Sequence, residues 1–291
     1  MTDEAHFSGH FGTVAIVGVG LIGGSLGMAL KRRRLAHRII GIGRNPERLD
    51  KAVALGAIDA GMTDLARGVA EADVVVLCTT VGHIVETLPG VLKAVKPGAV
   101  VTDVGSTKGT IARQAAGFPF FVGSHPMAGS EQAGVEAATP LLFEEATWAV
   151  TPTEGSDPGA VRTVERLARE VGATTLTLSP EAHDSMLAVT SHLPHVLASS
   201  LMRQASAAQR IHPQMQRLTA GSFADATRVA ASPPEIWRDV CLTNREALLA
   251  ALKSFQAELD ALEAAVEAGD AAQIEAFFAA GAEAKRGWGA L

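Results

Sequence analysis

Thr13-Val14-Ala15-Ile16-Val17-Gly18-Val19-Gly20-Leu21-Ile22-Gly23-Gly24 decides the fold. Five residues without a charge, three of them β-branched aliphatics, run straight into a Gly-x-Gly-x-x-Gly turn, and a helix-like segment follows. Strand, glycine turn and helix in that order turn an unspecific string into a dinucleotide-binding signal. Gly18 makes the tight turn, Gly20 lets the backbone approach a pyrophosphate, and Gly23 lets helix and strand pack closely. The free N–H groups of Leu21, Ile22 and Gly23 at the helix start then face the phosphates. Gly24, Ser25 and Gly27 keep one helix face small.

Working outward, the runs Val14–Val17, Arg38–Ile42, Val74–Cys78, Ala99–Asp103, Phe120–Gly123, Trp148–Thr151 and Thr174–Leu178 alternate with helix-like segments. The early runs carry few polar residues, as strands buried on both faces of a parallel sheet do. The pattern predicts a Rossmann-type, doubly wound α/β domain over residues 13–179, after a loose polar tail at 1–12. Past Ser179 strand signals stop. Ser179-Pro180-Glu181 reads as a helix start, with serine at the N-cap and proline in the first turn. Leu248, Leu252, Phe255, Leu259, Leu262 and Val266 form one helical stripe. Gly269 then stops that helix and Asp270 caps the next. Residues 180–291 are thus expected to form an all-helical domain, whose long apolar stripe is expected to pair two copies of the chain as a homodimer.

The composition excludes several classes. The 291 residues carry 25 Lys and Arg against 31 Asp and Glu, a net charge of −6, so there is no basic footprint for nucleic acid. The one dense basic run, Lys31-Arg32-Arg33-Arg34, sits at a helix end, where cations suit the dipole. No apolar run is long enough for a membrane span. The start shows no basic, then apolar leader. Two distant cysteines, Cys78 and Cys241, read as reduced residues of a cytoplasmic protein.

The second strand ends in Gly41-Ile42-Gly43-Arg44-Asn45-Pro46, with no acid to take the ribose 2′-hydroxyl of NAD. Arg44 suits a 2′-phosphate instead, which favours NADP over NAD. Three segments reach the carboxyl edge of the sheet: Cys78-Thr79-Thr80, Asp103–Lys108 and Gly123–Gly129. They bring Thr79, Ser106 and His125 to the cofactor. A neutral imidazole accepts a proton near pH 7, so His125 is the candidate base, with Ser106 placed to orient its ring. The helical part adds His183, Asp184, Ser191, His192 and His195. His192 and His195 share a helix face, and Pro194 is expected to bend the helix between them. No carboxylate or cysteine spacing completes a metal site. Arg228 is a candidate carboxylate clamp.

With these residues in place the chain resembles the prephenate/arogenate dehydrogenase family from about residue 13 to 285. The likeness rests on Gly18–Gly24, Asp103–Lys108, Ser124–Glu131 with Ala133-Gly134, His183-Asp184 through His195, and Thr227–Asp239. It implies oxidative decarboxylation of prephenate or L-arogenate on the way to tyrosine: hydride leaves the ring carbon bearing the hydroxyl and the ring carboxylate departs as carbon dioxide. It also implies that His125 takes the hydroxyl proton, that Ser106 orients His125 and touches the nicotinamide side, and that Arg228 binds a substrate carboxylate. Ser191, His192 and His195 would line the pocket and Glu131 would serve as a gate or polar pocket residue. His183 and Trp237 would be structural. Pro233 stands where the family often has a polar residue. Two rivals are weaker: a β-hydroxyacid dehydrogenase wants a lysine that positions 181–210 lack, and a non-catalytic regulator need not keep His125, Ser106 and Arg228 together.

Overall fold

A computed structural model of the chain describes residues 11–129 and 132–288. Eight strands, β1 (Thr13–Val17), β2 (Arg38–Ile42), β3 (Ala60–Met62), β4 (Val74–Leu77), β5 (Val100–Asp103), β6 (Phe121–Pro126), β7 (Thr147–Thr151) and β8 (Thr174–Thr177), form one sheet in the order β3-β2-β1-β4-β5-β6-β7-β8. Six helices follow strands: α1 (Leu21–Arg32), α2 (Pro46–Ala54), α3 (Leu65–Ala70), α4 (Val81–Ala94), α5 (Gly109–Gln114) and α6 (Pro158–Glu170). Six more close the chain: α7 (Pro180–Leu187), α8 (Leu193–Gln209), α9 (Gly221–Thr227), α10 (Pro234–Thr243), α11 (Arg245–Ala268) and α12 (Ala271–Gly287).

Alternation along the strands makes two cores. Val14, Ile16, Ile39, Val74, Val76 and Val122 face the layer containing Leu26 and Leu30 of α1 and Val164 and Leu167 of α6. Ala15, Val17, Ile40, Val75, Leu77 and Val101 face Ile84, Leu88 and Val91 of α4 and Ile111 of α5. Both faces are covered, so the strands read as continuous apolar runs. The strand order reverses between β1, which pairs with β2, and β4. A crevice opens at that switch point, above the carboxyl ends of the strands.

The expected strands are all present, with three departures. β3 was not expected: three residues with a central Gly61 carry no apolar run. β7 runs antiparallel to β6, because the described residues between them form no α-helix to carry the chain back across the sheet. The same pairing extends β6 past Gly123, so His125 stands on the strand, opposite Ala149, rather than in a loop after it. Phe11, expected within a loose tail over residues 1–12, is buried, its N–H bonded to the Leu35 carbonyl.

The chain forms two compact units, the first ending at Arg245, so α7 to α10 belong with the sheet. Ser179 caps α7 through Ala182 N–H, as its position predicts. Before Pro194 the helix widens into a π turn over Ala188–His192, closed by the Leu193 N–H on the Ala188 carbonyl. That turn is how the chain accommodates the proline expected to bend it. The second unit, from Glu246, contains α11 and α12. Gly269 takes φ +62° between them and Asp270 caps α12 on the N–H groups of Ala272 and Gln273.

Candidate active site

The glycine turn shows what it makes room for. A Cβ on Gly18 (φ +94°) would lie 2.6 Å from Thr79 Cγ2, and one on Gly23 would lie 2.2 Å from the Gly18 carbonyl oxygen. A Cβ on Gly20 would meet nothing within 4 Å. Gly18 and Gly23 are therefore required by the fold, whereas Gly20 borders open space. The first hydrogen bond of α1 runs from Gly24 N–H to the Gly20 carbonyl, leaving the N–H groups of Leu21, Ile22 and Gly23 without helical partners. A cleft of about 1030 Å³ begins here, lined by Gly18, Gly20, Thr79, Arg44, Arg48 and Glu136 among others. Thr79 Oγ1 is buried on its wall with no hydrogen-bond partner. Unpaired donors at a helix start, a glycine with free space above it and an orphaned hydroxyl fit a dinucleotide phosphate. Asn45 caps α2 through Arg48 N–H, which leaves Arg44 as the charged residue at the β2 end.

Farther along the same edge, charged groups are folded into the sheet. Asp103 and Lys108 form a fully buried ion pair, and Lys108 Nζ also donates to the Ser124 carbonyl at 2.8 Å. Asp103 accepts from Gly105 N–H, and Ser124 Oγ donates to the Asp103 carbonyl. Trp148 Nε1 donates to Ser124 Oγ. Burial lowers the Lys108 pKa, a shift opposed by the Asp103 charge. A pair this deep is costly unless every lone pair is used, and here these bonds brace the strand ends on which His125 stands.

His125 heads a chain of bonds. Its Nδ1 lies 3.0 Å from His183 Nε2, and His183 Nδ1 lies 2.9 Å from Asp184 Oδ1. Asp184 also accepts the N–H groups of Lys108 at 2.7 Å and Gly109 at 2.8 Å, which pins α7 to the start of α5. Despite the burial that opposes it, the His183 bond and these N–H groups hold the Asp184 carboxyl below its usual pKa. An ionised carboxylate only accepts, so the pattern assigns the protons: His183 Nδ1–H donates to Asp184, and His125 Nδ1–H donates to His183 Nε2. His125 Nε2 is left with its lone pair. Burial, and then the nearby His183, Lys108 and His192, push the His125 pKa well below 6.5, so the ring is neutral near pH 7.

The other predicted residues gather next to this chain. His192 is buried, its Nδ1 held by Asn244 Nδ2 at 3.0 Å, and burial brings its pKa to about 4. Its Nε2 makes no hydrogen bond of normal geometry, although the Ser106 backbone favours its protonated form. His195 Nδ1–H donates to the Ser191 carbonyl at 2.9 Å and the ring stacks on Trp237 at 3.6 Å between centroids. Trp237 also meets His192 edge-on, so it packs both histidines. Arg228, which opens a 3-10 turn over Arg228–Ala231, is close enough to His195 to lower its pKa, burial being the larger cause.

Residues 26–177 match the family model for the prephenate dehydrogenase nucleotide-binding domain, and residues 179–280 match that for the prephenate dehydrogenase dimerization domain. The chain belongs to the prephenate dehydrogenase family. It is 37% identical to the prephenate dehydrogenase of Bacillus subtilis over 271 residues, covering 91% of this chain and 73% of that one. It is 35% identical to the cyclohexadienyl dehydrogenase of Zymomonas mobilis, covering 89% and 90%. Among solved structures, prephenate dehydrogenase from Aquifex aeolicus in complex with hydroxyphenyl propionate and NAD+ superposes with a TM-score of 0.83 at 34% identity, covering 94% and 96%. Synechocystis arogenate dehydrogenase superposes at 0.82 with 30% identity, covering 95% and 100%. This prephenate/arogenate dehydrogenase is thus an NAD(P)-dependent oxidoreductase of tyrosine biosynthesis.

One placement differs from the sequence reading. Ser106 does not hold the His125 ring. That ring's Nδ1 is taken by His183, because Asp184 docks α7 directly on the strand ends, and Ser106 lies beside His192 instead. The pairing of Asp103 with Lys108 and the hold of Asn244 on His192 are not readable from the sequence. The signal available was an acid and a lysine five residues apart at a strand end, where one expects either exposed or paired charges. Glu131 lies outside the described residues. Among the described residues, no three His, Cys, Asp or Glu side chains are arranged to hold a metal ion, and no helix is long and apolar enough to cross a membrane.

Proposed function

We propose that His125 is the general base of the oxidative decarboxylation, with Nε2 accepting the proton of the substrate ring hydroxyl. The observation that carries this is the His125–His183–Asp184 chain, which fixes the ring and leaves only Nε2 free to accept. As positive charge develops on His125, His183 and the Asp184 carboxylate stabilise it, the arrangement by which a buried imidazole takes up a proton without losing its orientation. Bound nicotinamide supplies the hydride acceptor. Gly18, Gly20, Leu21, Ile22, Gly23 and Thr79 hold the dinucleotide. Ser106 contacts its nicotinamide side. Arg228 binds a substrate carboxylate, and Ser191, His192 and His195 line the substrate pocket, with Glu131 as its polar gate. Arg44 and Arg48, on a cleft wall with no acid at the β2 end, support NADP over NAD.

In this reading residues 13–179 hold the cofactor and 180–291 hold the substrate and the contact between two copies. Exposed Ile211, Leu218 and Leu242, and in the second unit Val266 and Phe278, support burial against a partner copy. The unpaired Cys78 and Cys241 support a reducing, cytoplasmic setting. Following reduced cofactor absorbance with prephenate and L-arogenate, each with NAD and NADP, tests the assignment. A strong NAD preference overturns the cofactor reading, and no turnover of either substrate overturns the whole.

A further inference from the structure

The small face of α1 has a use beyond close packing. A Cβ on Gly24 would lie 2.9 Å from Val135 Cγ2 and 3.0 Å from Ala138 Cβ, and the buried Ser25 Oγ accepts Thr139 N–H at 3.0 Å. These contacts seat the 3-10 turn Val135–Ala137 on α1, directly beside the glycine turn. The turn carries Glu136 to the cleft wall, where Oε1 pairs with Lys51 Nζ of α2 at 2.5 Å. Gly134 precedes it at φ +89°, and a Cβ there would lie 2.4 Å from Glu136 Oε2, so the glycine lets the carboxylate fold back. Lys51, Arg48 and Arg44 line the same cleft. The carboxyl sits below its usual pKa, first through the Lys51 bond and then its own backbone, with smaller contributions from the charges of Lys51 and Arg48. The wall beyond β2 thus carries three cations and one carboxylate that neutralises part of them. In open α/β folds this is where the adenosine ribose lies.

We propose that Glu136 is a cofactor-selectivity residue: held on α1 by Gly24 and Ser25, it occupies Lys51 and sets a negative charge against a 2′-phosphate. A 2′-phosphate carries about two negative charges and must compete with Glu136 for Lys51, whereas a ribose 2′-hydroxyl meets no such repulsion. Glu136 therefore lowers the preference for phosphorylated dinucleotide that Arg44 and Arg48 create. The inference rests on the reading that this cleft takes the adenosine end of the cofactor.

The test is calorimetric titration of the full chain with adenosine 2′,5′-bisphosphate and with 5′-AMP. Glu136→Gln tightens the bisphosphate by about 3- to 10-fold, the scale of one carboxylate repelling a doubly charged group across a few ångströms of screened water, and moves 5′-AMP less than about twofold. Lys51→Met weakens the bisphosphate and spares 5′-AMP. Bisphosphate affinity unchanged in Glu136→Gln, or both nucleotides moving together, overturns the selectivity role. Failure of both nucleotides to bind wild-type protein overturns the cleft reading itself.

Discussion

Replacing Gly20 and Gly23 by alanine, one at a time, separates what the fold needs from what the ligand needs. Gly20 has φ −97°, a negative value that L-residues share, and its Cβ would enter open space. Gly20→Ala is therefore expected to hold or raise stability, by about 0.4–1 kcal/mol, through the lost entropy of the unfolded chain. The methyl group instead occupies the space over the free N–H groups of α1. Lengthening one or two charge-assisted bonds, each contributing about 1.5–3 kcal/mol, weakens dinucleotide binding by at least about 10-fold for one bond and about 10²-fold for two. Gly23→Ala drives a Cβ to 2.2 Å from the Gly18 carbonyl oxygen, a backbone atom that cannot swing aside. That overpacking destabilises by about 3 kcal/mol. Thermal unfolding with and without dinucleotide reads both effects. At a hundredfold excess over Kd the ligand adds about 2.7 kcal/mol to the wild type, or about 5–10 °C. Gly20→Ala loses half or more of that increment while its ligand-free Tm stays level or rises; Gly23→Ala drops in Tm without ligand. A Gly20→Ala protein with wild-type dinucleotide affinity refutes the placement of the phosphates over the turn.

Asp184→Asn sets an amide N–H against the N–H of Lys108 or Gly109 and is expected to cost about 2–4 kcal/mol of stability to urea; an unchanged midpoint contradicts the role given to that carboxylate. His192 is also expected to contribute about 2 kcal/mol to a fall in stability from pH 7 to pH 5, because, at about 4 in the fold against an unfolded 6.5, it protonates first in the unfolded chain. The sign follows from a depressed folded pKa: the contribution is present above pH 6.5 and is lost as pH falls toward 4. His192→Asn removes that share and leaves the part due to His125, and a loss left unchanged by the substitution contradicts the assignment. On the acid side, turnover is expected to stay level down to pH 6, because His125 is neutral well below 6.5. An acid limb centred at 6.5 contradicts the burial of that ring. Sedimentation at several concentrations is expected to give a dimer mass, and a concentration-independent monomer refutes pairing through the helical part.

The sheet was legible because its strands are covered on both faces: Val14–Val17 and Val74–Leu77 have nowhere to put a polar residue, so the runs are unbroken. β3 was not, since Ala60-Gly61-Met62 pairs through its backbone and leaves no mark in side chains. The antiparallel β7 was hidden for a related reason, as strand direction depends on what lies between two runs and not on the runs. In the site, His125, Ser106, His192, His195 and Arg228 were visible as residue types at strand ends and on helix faces. Which of them pair was not. His183 stands 58 residues from His125 and Asn244 stands 52 from His192, and only the packing of helices on the strand ends chooses between one hydroxyl and one imidazole as the neighbour of a given ring nitrogen. Glu136 left no signal at all, because its meaning depends on Gly24 lying under Val135.

The most direct test of the account is turnover of prephenate by His125→Asn, with dinucleotide affinity measured on the same protein. The asparagine amide reproduces the Nδ1–H donor toward His183 and carries nothing in the place of Nε2, so the bond chain stays and the base goes. The account predicts a fall in kcat of about 10²–10⁴-fold with dinucleotide affinity within about twofold of the wild type. Turnover near the wild-type rate would contradict it.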